Sequence, residues 1–232
     1  MPTIIDRNES TATAIPHIIV IDPGVHTPEV DTFNLIADMS PLPCHYHLPA
    51  LIGLDSLPES FAQVRGIIIL GSASSVHDHL PWQRPLEEWL RPAIEIGIPM
   101  LGCCYGHQML VHMLGGTVEY HTPEHTKLKG VRCVEMLENT LWPAGKRNLV
   151  VTHSEIVTHL PNTLRVIAKS NEIAIDGFTH KNKPIFGLQS HPEATRLFLK
   201  GHQILEPHGV DALSDGQELL RSFVYMAVGN HP

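Results

Sequence analysis

Residues 99–116, PMLGCCYGHQMLVHMLGG, pass from an apolar run through two adjacent cysteines into a segment with helical spacing. PMLGC (99–103) reads as a buried strand, and Met109, Leu110 and Met113 form an apolar stripe that Gly115-Gly116 stops. Strand therefore leads straight into helix. Gly102-x-Cys104-x-Gly106 is the thiol counterpart of the G-x-S-x-G elbow, in which the middle residue sits on a sharp, strained turn that the flanking glycines make sterically possible. That geometry separates the two cysteines. Cys104 is expected at the tip, at the carboxyl end of the sheet where open α/β folds bind ligands, and Cys103 is expected to end the strand pointing into the core. An anion at Cys104 is favoured by the positive end of the helix that follows. A metal or redox pair would call for C-x-x-C spacing, which is absent.

Further apolar runs surround this stretch: HIIVID (17–22), GIIIL (66–70), NLVVT (148–152) and PIFGLQ (184–189). Their two-sided hydrophobicity predicts an α/β fold, an open and mostly parallel sheet flanked by helices. PLEEWLRPAIEIG (85–97) reads as a helix with Leu86, Leu90 and Ile94 on one face, stopped by Gly97 and kinked by Pro92. Residues 117–183 alternate short apolar stretches with turns, which predicts hairpins, a strand-rich extension. The stretch 211–230 reads as a closing helix capped by Ser214 or Asp215. No repeat or long linker divides the 232 residues, so 1–232 reads as one domain.

With 16 basic against 24 acidic residues and no basic cluster, neither nucleic acid nor an anionic membrane is the expected partner. The first sixteen residues carry charges and lack a signal-peptide core, and no run of about 18 apolar residues occurs, so the expected location is the cytoplasm. Four cysteines without a framework predict reduced thiols. CHYH (44–47) alternates as strand neighbours do, and HDH (77–79) falls in a polar loop, so no metal site is expected at either. Trp82 and Trp89 read as packing residues for the helix beside them.

The second chemical motif is His191-Pro192-Glu193, at the end of the run PIFGLQ. A thiolate needs a base that takes up its proton and returns it to the leaving group, and an imidazole needs an acceptor that fixes its tautomer. Alone, among 17 histidines, the triplet carries little; beside the elbow it supplies both partners.

PMLGCCYGHQ and SHPE together resemble the class I glutamine amidotransferases, whose nucleophile signature is P-x-x-G-x-C-x-G-x-Q and whose triad ends in H-P-E. GIIILGSASSVHD (66–78), LGGTVEY (114–120) and THSEIVTHLP (152–161) also resemble that family, so the likeness covers about 66–195. It implies the family's flavodoxin-like fold, with Cys104 as nucleophile, His191 as general acid and base and Glu193 as its orienting carboxylate. The implied oxyanion hole uses the backbone N–H groups of Tyr105 and of Ser72, in the turn at Gly71. Gln108 matches a substrate-contacting glutamine, and backbone at Ser154 and Glu155 would hold the substrate's α-amino group. Ser72 stands where the family often has glycine and Glu155 where aspartate is frequent; both changes touch substrate recognition. The turn GS-x-x-SV is similar to that of stand-alone γ-glutamyl peptidase-like members.

The resemblance implies hydrolysis of the γ-carboxamide of glutamine to glutamate and ammonia through a γ-glutamyl thioester, with no cofactor and no metal. The chain has no G-x-x-x-x-G-K-[ST] loop, so any ammonia acceptor or synthetase is a separate protein. Two alternatives stand beside this: the chain acts alone on γ-glutamyl amides or peptides, or it is an inactive binding module. Retention of Cys104, His191 and Glu193 weighs against the second.

Overall fold

The computed structural model describes residues 15–208 and 210–229. The amino-terminal residues read above for a signal peptide, and Asn230 at the end of the expected closing helix, lie outside them. In chain order the strands are β1 (His17–Ile21), β2 (Cys44–His47), β3 (Val64–Ile69), β4 (Met100–Cys103), β5 (Thr117–Tyr120), β6 (Leu128–Met136), β7 (Gly145–His153), β8 (Glu155–His159), β9 (Leu164–Lys169), β10 (Gly177–His180) and β11 (Ile185–Leu188). The helices are α1 (Val30–Met39), α2 (Pro49–Ile52), α3 (Gln83–Ile96), α4 (Tyr105–Met113), α5 (Arg196–Gly201) and α6 (Ala212–Ala227).

One nine-stranded sheet runs β2-β1-β3-β4-β11-β10-β9-β6-β7, and β5 and β8 form a separate antiparallel ribbon. From β2 to β11 all pairings are parallel; from β11 to β7 all are antiparallel. The parallel half obeys the period of two. Ile19, Ile21, Ile67 and Ile69 face a core shared with Leu86 and Leu90 of α3 and Met109 and Leu110 of α4. Their neighbours Ile18, Val20, Ile68 and Leu70 face the opposite core, with Ile36 of α1 and Leu219, Phe223 and Val224 of α6. Each such side chain, fully buried, stabilises the fold by about 1.5–3 kcal/mol. Apolar residues on both faces are what the parallel strands require, and the sequence supplies them.

Two expectations change in detail. NLVVT lies in β7, an edge strand antiparallel to β6, and is apolar because Leu149 packs into the α6 core while Val150 packs against Phe198, Leu199 and Ile204. Helix α3 holds Pro92 inside its span, exposed on the outer face. The cap of α6 is Asp211, accepting from Ser214 N at 2.9 Å; Asp215 instead accepts from Asn148 N of β7 at 2.7 Å.

CHYH forms β2, with His45 stacked on His17 and His47 turned inward to Ser56 Oγ at 2.9 Å. Trp82 packs beside Tyr105, and Trp89 Nε1 donates to the Pro58 carbonyl. Among the described residues no helix is long and apolar enough to cross a membrane, and no cluster of three or more His, Cys, Asp or Glu side chains is placed to hold a metal ion.

Candidate active site

Cys104 stands alone between β4 and α4 at φ 49°, ψ −101°, a conformation an L-residue holds at a cost of about 1–3 kcal/mol. The glycine bracket permits it through close approach. A Cβ on Gly102 would lie 2.4 Å from Gly106, and one on Gly106 would lie 2.3 Å from the Ile69 carbonyl of β3. The elbow is also pinned by its backbone, with Cys104 N donating to Leu188 O and Gln108 N to Cys104 O. Cys103 points into the α6 core, fully buried, as expected. Its thiol is pushed well above the usual range by burial, with the nearby Glu193 charge adding to the effect.

His191 and Glu193 follow β11, the neighbour of β4, and both are almost fully buried. His191 N bonds the Val150 carbonyl at 2.8 Å, which fixes the loop to β7. The ring Nδ1 meets Glu193 Oε1 at 2.9 Å, so Nε2 is the nitrogen turned away from the carboxylate. Nε2 makes no hydrogen bond within the protein, and neither does Glu193 Oε2. Gly71, in the turn after β3, lies at the junction: a Cβ there would sit 2.7 Å from His191 Cε1 and 3.7 Å from Cys104 Cβ. Three separate chain segments thus converge on one point. Burial alone would lower the His191 ring, but the charges of Cys104 and Glu193 outweigh it and push the ring up to about 10.

Two weak sulfur contacts complete the surroundings of Cys104, to the Thr152 carbonyl and to Gln189 Nε2, both at 3.8 Å. Tyr105 N–H is the first of α4, where a helix offers no acceptor of its own. Ser72 uses its hydroxyl within the turn, donating to Pro23 O at 2.8 Å and accepting from Ser74 N at 3.1 Å. The hydroxyl that replaces glycine here is therefore a brace for the turn.

A cavity of about 200 Å³ opens beside Cys104, lined by Ser72, Gln108, Ser154 and Glu155 among others. Here the polar detail departs from expectation. The Glu155 carbonyl already accepts from Gln108 Nε2 at 2.8 Å and from His153 Nδ1 at 3.0 Å, and the Ser154 carbonyl accepts from His121 N. Both lone pairs at Glu155 O are occupied, so that backbone atom is not free to hold an α-amino group. The Glu155 carboxylate accepts from Ser75 Oγ at 2.7 Å, and Asp78 is a second acidic residue lining the cavity. Gln108 also reaches Gln189 Oε1 at 3.3 Å, which leaves its own Oε1 uncommitted.

His153, Gln189, Arg132 and Asp176 are absent from the sequence reading. Arg132 of β6 is buried; it contacts His153 Nε2 at 3.2 Å and pairs with Asp176. A carbonyl only accepts and a guanidinium only donates, so His153 is the neutral tautomer with its proton on Nδ1. Burial, with the Arg132 charge adding, lowers its pKa to about 3. The polar residues flanking the two motifs, Gln189 before S-H-P-E and His153 before Ser154-Glu155, were the available signal. Arg132 and Asp176 carry none, since each lies in an unrelated strand or loop.

Residues 47–210 match the family glutamine amidotransferase class-I, and the chain belongs to that family. The GMP synthase (glutamine-hydrolyzing) of Francisella tularensis subsp. holarctica is 33% identical over 147 residues, 62% of this chain and 27% of that protein. The enzyme of the same name from Thermosynechococcus vestitus is 30% identical over 178 residues, 75% of this chain and 29% of its own length. The chain thus spans less than a third of these curated relatives. Among solved structures, a glutamine amido transferase from Methylobacillus flagellatus superimposes with TM-score 0.73 at 16% identity, over 93% of this chain and 95% of that one. A glutamine amidotransferase from Thermotoga maritima gives 0.72 at 18% identity, over 93% and 99%. The large mixed sheet flanked by helices is the architecture they share.

Proposed function

We propose that this chain hydrolyses the γ-carboxamide of glutamine through a thioester on Cys104. The observation that carries the reading is the convergence of Cys104, at its strained elbow, with a His191 ring whose other nitrogen is held by Glu193 at 2.9 Å. In the first step Cys104 gives its thiol proton to His191 Nε2, its sulfur attacks the γ-carbonyl carbon and the C=O electron pair moves to oxygen. The N–H groups of Tyr105 and Ser72 receive that oxyanion, each such donor contributing about 2.7–4 kcal/mol in the transition state. His191 gives its Nε2 proton to the nitrogen, the C–N bond breaks, and ammonia leaves. Water, losing a proton to His191, then attacks the thioester, and glutamate departs as the Cys104–carbon bond breaks. Glu193 keeps the ring oriented throughout.

Recognition falls to the 200 Å³ cavity. The Glu155 carboxylate would hold the α-ammonium group, in place of the Glu155 carbonyl, and Gln108 Oε1 offers a second acceptor. Ammonia is passed to an acceptor or to a synthetase. The test is release of ammonia and glutamate from glutamine by the wild type, Cys104→Ala and Cys103→Ala proteins. Activity is expected in the first and third only, and full activity in Cys104→Ala would end the reading.

A further inference from the structure

The turn after β3 carries one of the two N–H groups assigned to the oxyanion, yet few bonds hold it. Leu70 N still bonds the Ile21 carbonyl at 2.9 Å, which ties the strand end to β1. Beyond it, residues 71–74 have no regular structure, and among the described residues a single hydrogen bond links them to another part of the chain, Ser72 Oγ to Pro23 O at 2.8 Å. The second bond of that hydroxyl, from Ser74 N, closes within the turn. A donor that must meet a developing charge has to be held in place beforehand. Its place here depends on the Pro23 carbonyl.

That carbonyl is aimed by Asp22. In a planar trans peptide the C=O and the N–H point in opposite directions, so whatever fixes Gly24 N–H also directs Pro23 O. Gly24 N donates to Asp22 Oδ1 at 2.8 Å. Asp22 Oδ2 accepts from Glu29 N at 2.7 Å and from the Tyr46 hydroxyl of β2, and Asp22 N bonds His47 O, so the carboxylate clamps residues 23–29 to the strand ends. Asp22 is fully buried, where hydrogen bonds are electrostatically stronger than in water. Position 24 requires glycine for the close approach: a Cβ there would lie 2.9 Å from Asp22 Oδ1 and 3.1 Å from Thr27 O. An unbroken path thus runs from Tyr46 through Asp22 and the Pro23–Gly24 peptide to Ser72.

We propose that Asp22 is a positioning residue for the oxyanion turn: through the Pro23 carbonyl and the Ser72 hydroxyl it sets where the Ser72 N–H stands relative to Cys104. The carboxylate acts only through that path. The inference rests on the acyl-transfer chemistry proposed above and concerns its transition state alone, so its signature is a loss in kcat with KM retained. Alkylation of Cys104 by iodoacetamide, a displacement at a saturated carbon, forms no oxyanion and needs no such donor.

The experiment measures kcat and KM for glutamine, and separately the rate of Cys104 alkylation by iodoacetamide, in the wild type and in Asp22→Asn, Ser72→Ala, their double variant and Tyr46→Phe. Asp22→Asn sets an NH₂ group against N–H donors, and Ser72→Ala keeps the backbone N–H while removing its brace. Each is expected to lower kcat by at least about tenfold, with KM and the alkylation rate within about threefold, and the double variant is expected to lose no more than the larger single loss. Tyr46→Phe withdraws one of the three donors to Asp22 and is expected to lose about threefold in kcat. It takes the place of Asp22→Asn if thermal unfolding shows that variant unfolded. Unchanged kcat in Ser72→Ala and Tyr46→Phe, or losses that multiply in the double variant, would overturn the coupling and leave the acyl-transfer reading intact. An alkylation rate that falls along with kcat would also overturn it, since the nucleophile itself would then have moved. No glutamate release by the wild type would overturn both readings.

Discussion

The parallel and antiparallel halves of the sheet meet at the junction of β11 and β10, and they hold their functional groups by different physics. In the parallel half, Cys104, His191 and Glu193 stand at strand ends whose backbones are packed between two apolar cores. At the antiparallel half, the wall formed by Thr152 and His153 of β7 and by Glu155 of the adjoining ribbon is held by a buried polar cluster, Arg132 with Asp176 and His153. Apolar packing is non-directional and tolerates substitution; a buried ionic cluster is strongly directional and fails when one member is lost. The difference suggests a division of labour. Cys104, His191 and Glu193 are placed by packed strand ends, and the wall beside them is shaped by a network of few hydrogen bonds.

The largest expected effect lies in the rigid half. Cys104→Ala is expected to lower kcat by at least about 10⁴-fold, as loss of a nucleophile does in other triad enzymes, while Cys103→Ala stays within about threefold because its thiol only fills the α6 core. Equal losses in both, measured by glutamate release, would erase the distinction between the two cysteines. Gly71→Ala comes next. Its Cβ would lie 2.7 Å from His191 Cε1, so the ring must shift, and a displacement of about 1 Å can cost around 10²-fold in rate. The loss is expected in kcat, with the protein still folded by circular dichroism.

Smaller effects probe the polar half. Arg132→Met combined with Asp176→Leu removes both buried charges, so neither is left unpaired, and takes away the donor at His153 Nε2. A rise in KM for glutamine of about tenfold with little change in kcat is expected; an equal fall in kcat would mean that the network also positions the reacting atoms. The pH dependence of stability is the mildest test. His107 and His153 are held near 3 mainly by burial, so between pH 6.5 and about 3 the unfolded chain binds protons at both that the folded chain refuses. Stability therefore falls as pH drops through that window. His191 contributes with the opposite sign: raised to about 10, its stabilisation is complete below pH 6.5 and is lost as pH rises toward 10. Thermal midpoints across pH should decline on both limbs, and His191→Gln should flatten the alkaline one.

Much of the rigid half is legible in the sequence because two-sided apolar runs and a glycine-bracketed elbow are local signals. β1, β3, β4 and β11 announce themselves in this way, and so do α3 and α4. Their apolarity reports covered faces and not strand direction, which is why NLVVT was expected in the parallel set and lies in β7. The capping of α6 turned on which of three nearby polar residues faced the first turn, a choice made by Asn148 of a distant strand drawing Asp215 away. The placement of His191 and Glu193 beside the Cys104 elbow was readable since motif spacing encodes it. Arg132 and Asp176 were not, because they reach the site from separate elements and no local periodicity records that meeting.

The most direct measurement is mass spectrometry of the protein quenched during turnover of a γ-glutamyl substrate, with the peptide spanning residues 99–116 fragmented between its two cysteines. A γ-glutamyl adduct on Cys104 is predicted, absent in Cys104→Ala and retained in Cys103→Ala. An adduct on Cys103, or turnover that persists with no adduct in Cys104→Ala, would contradict it.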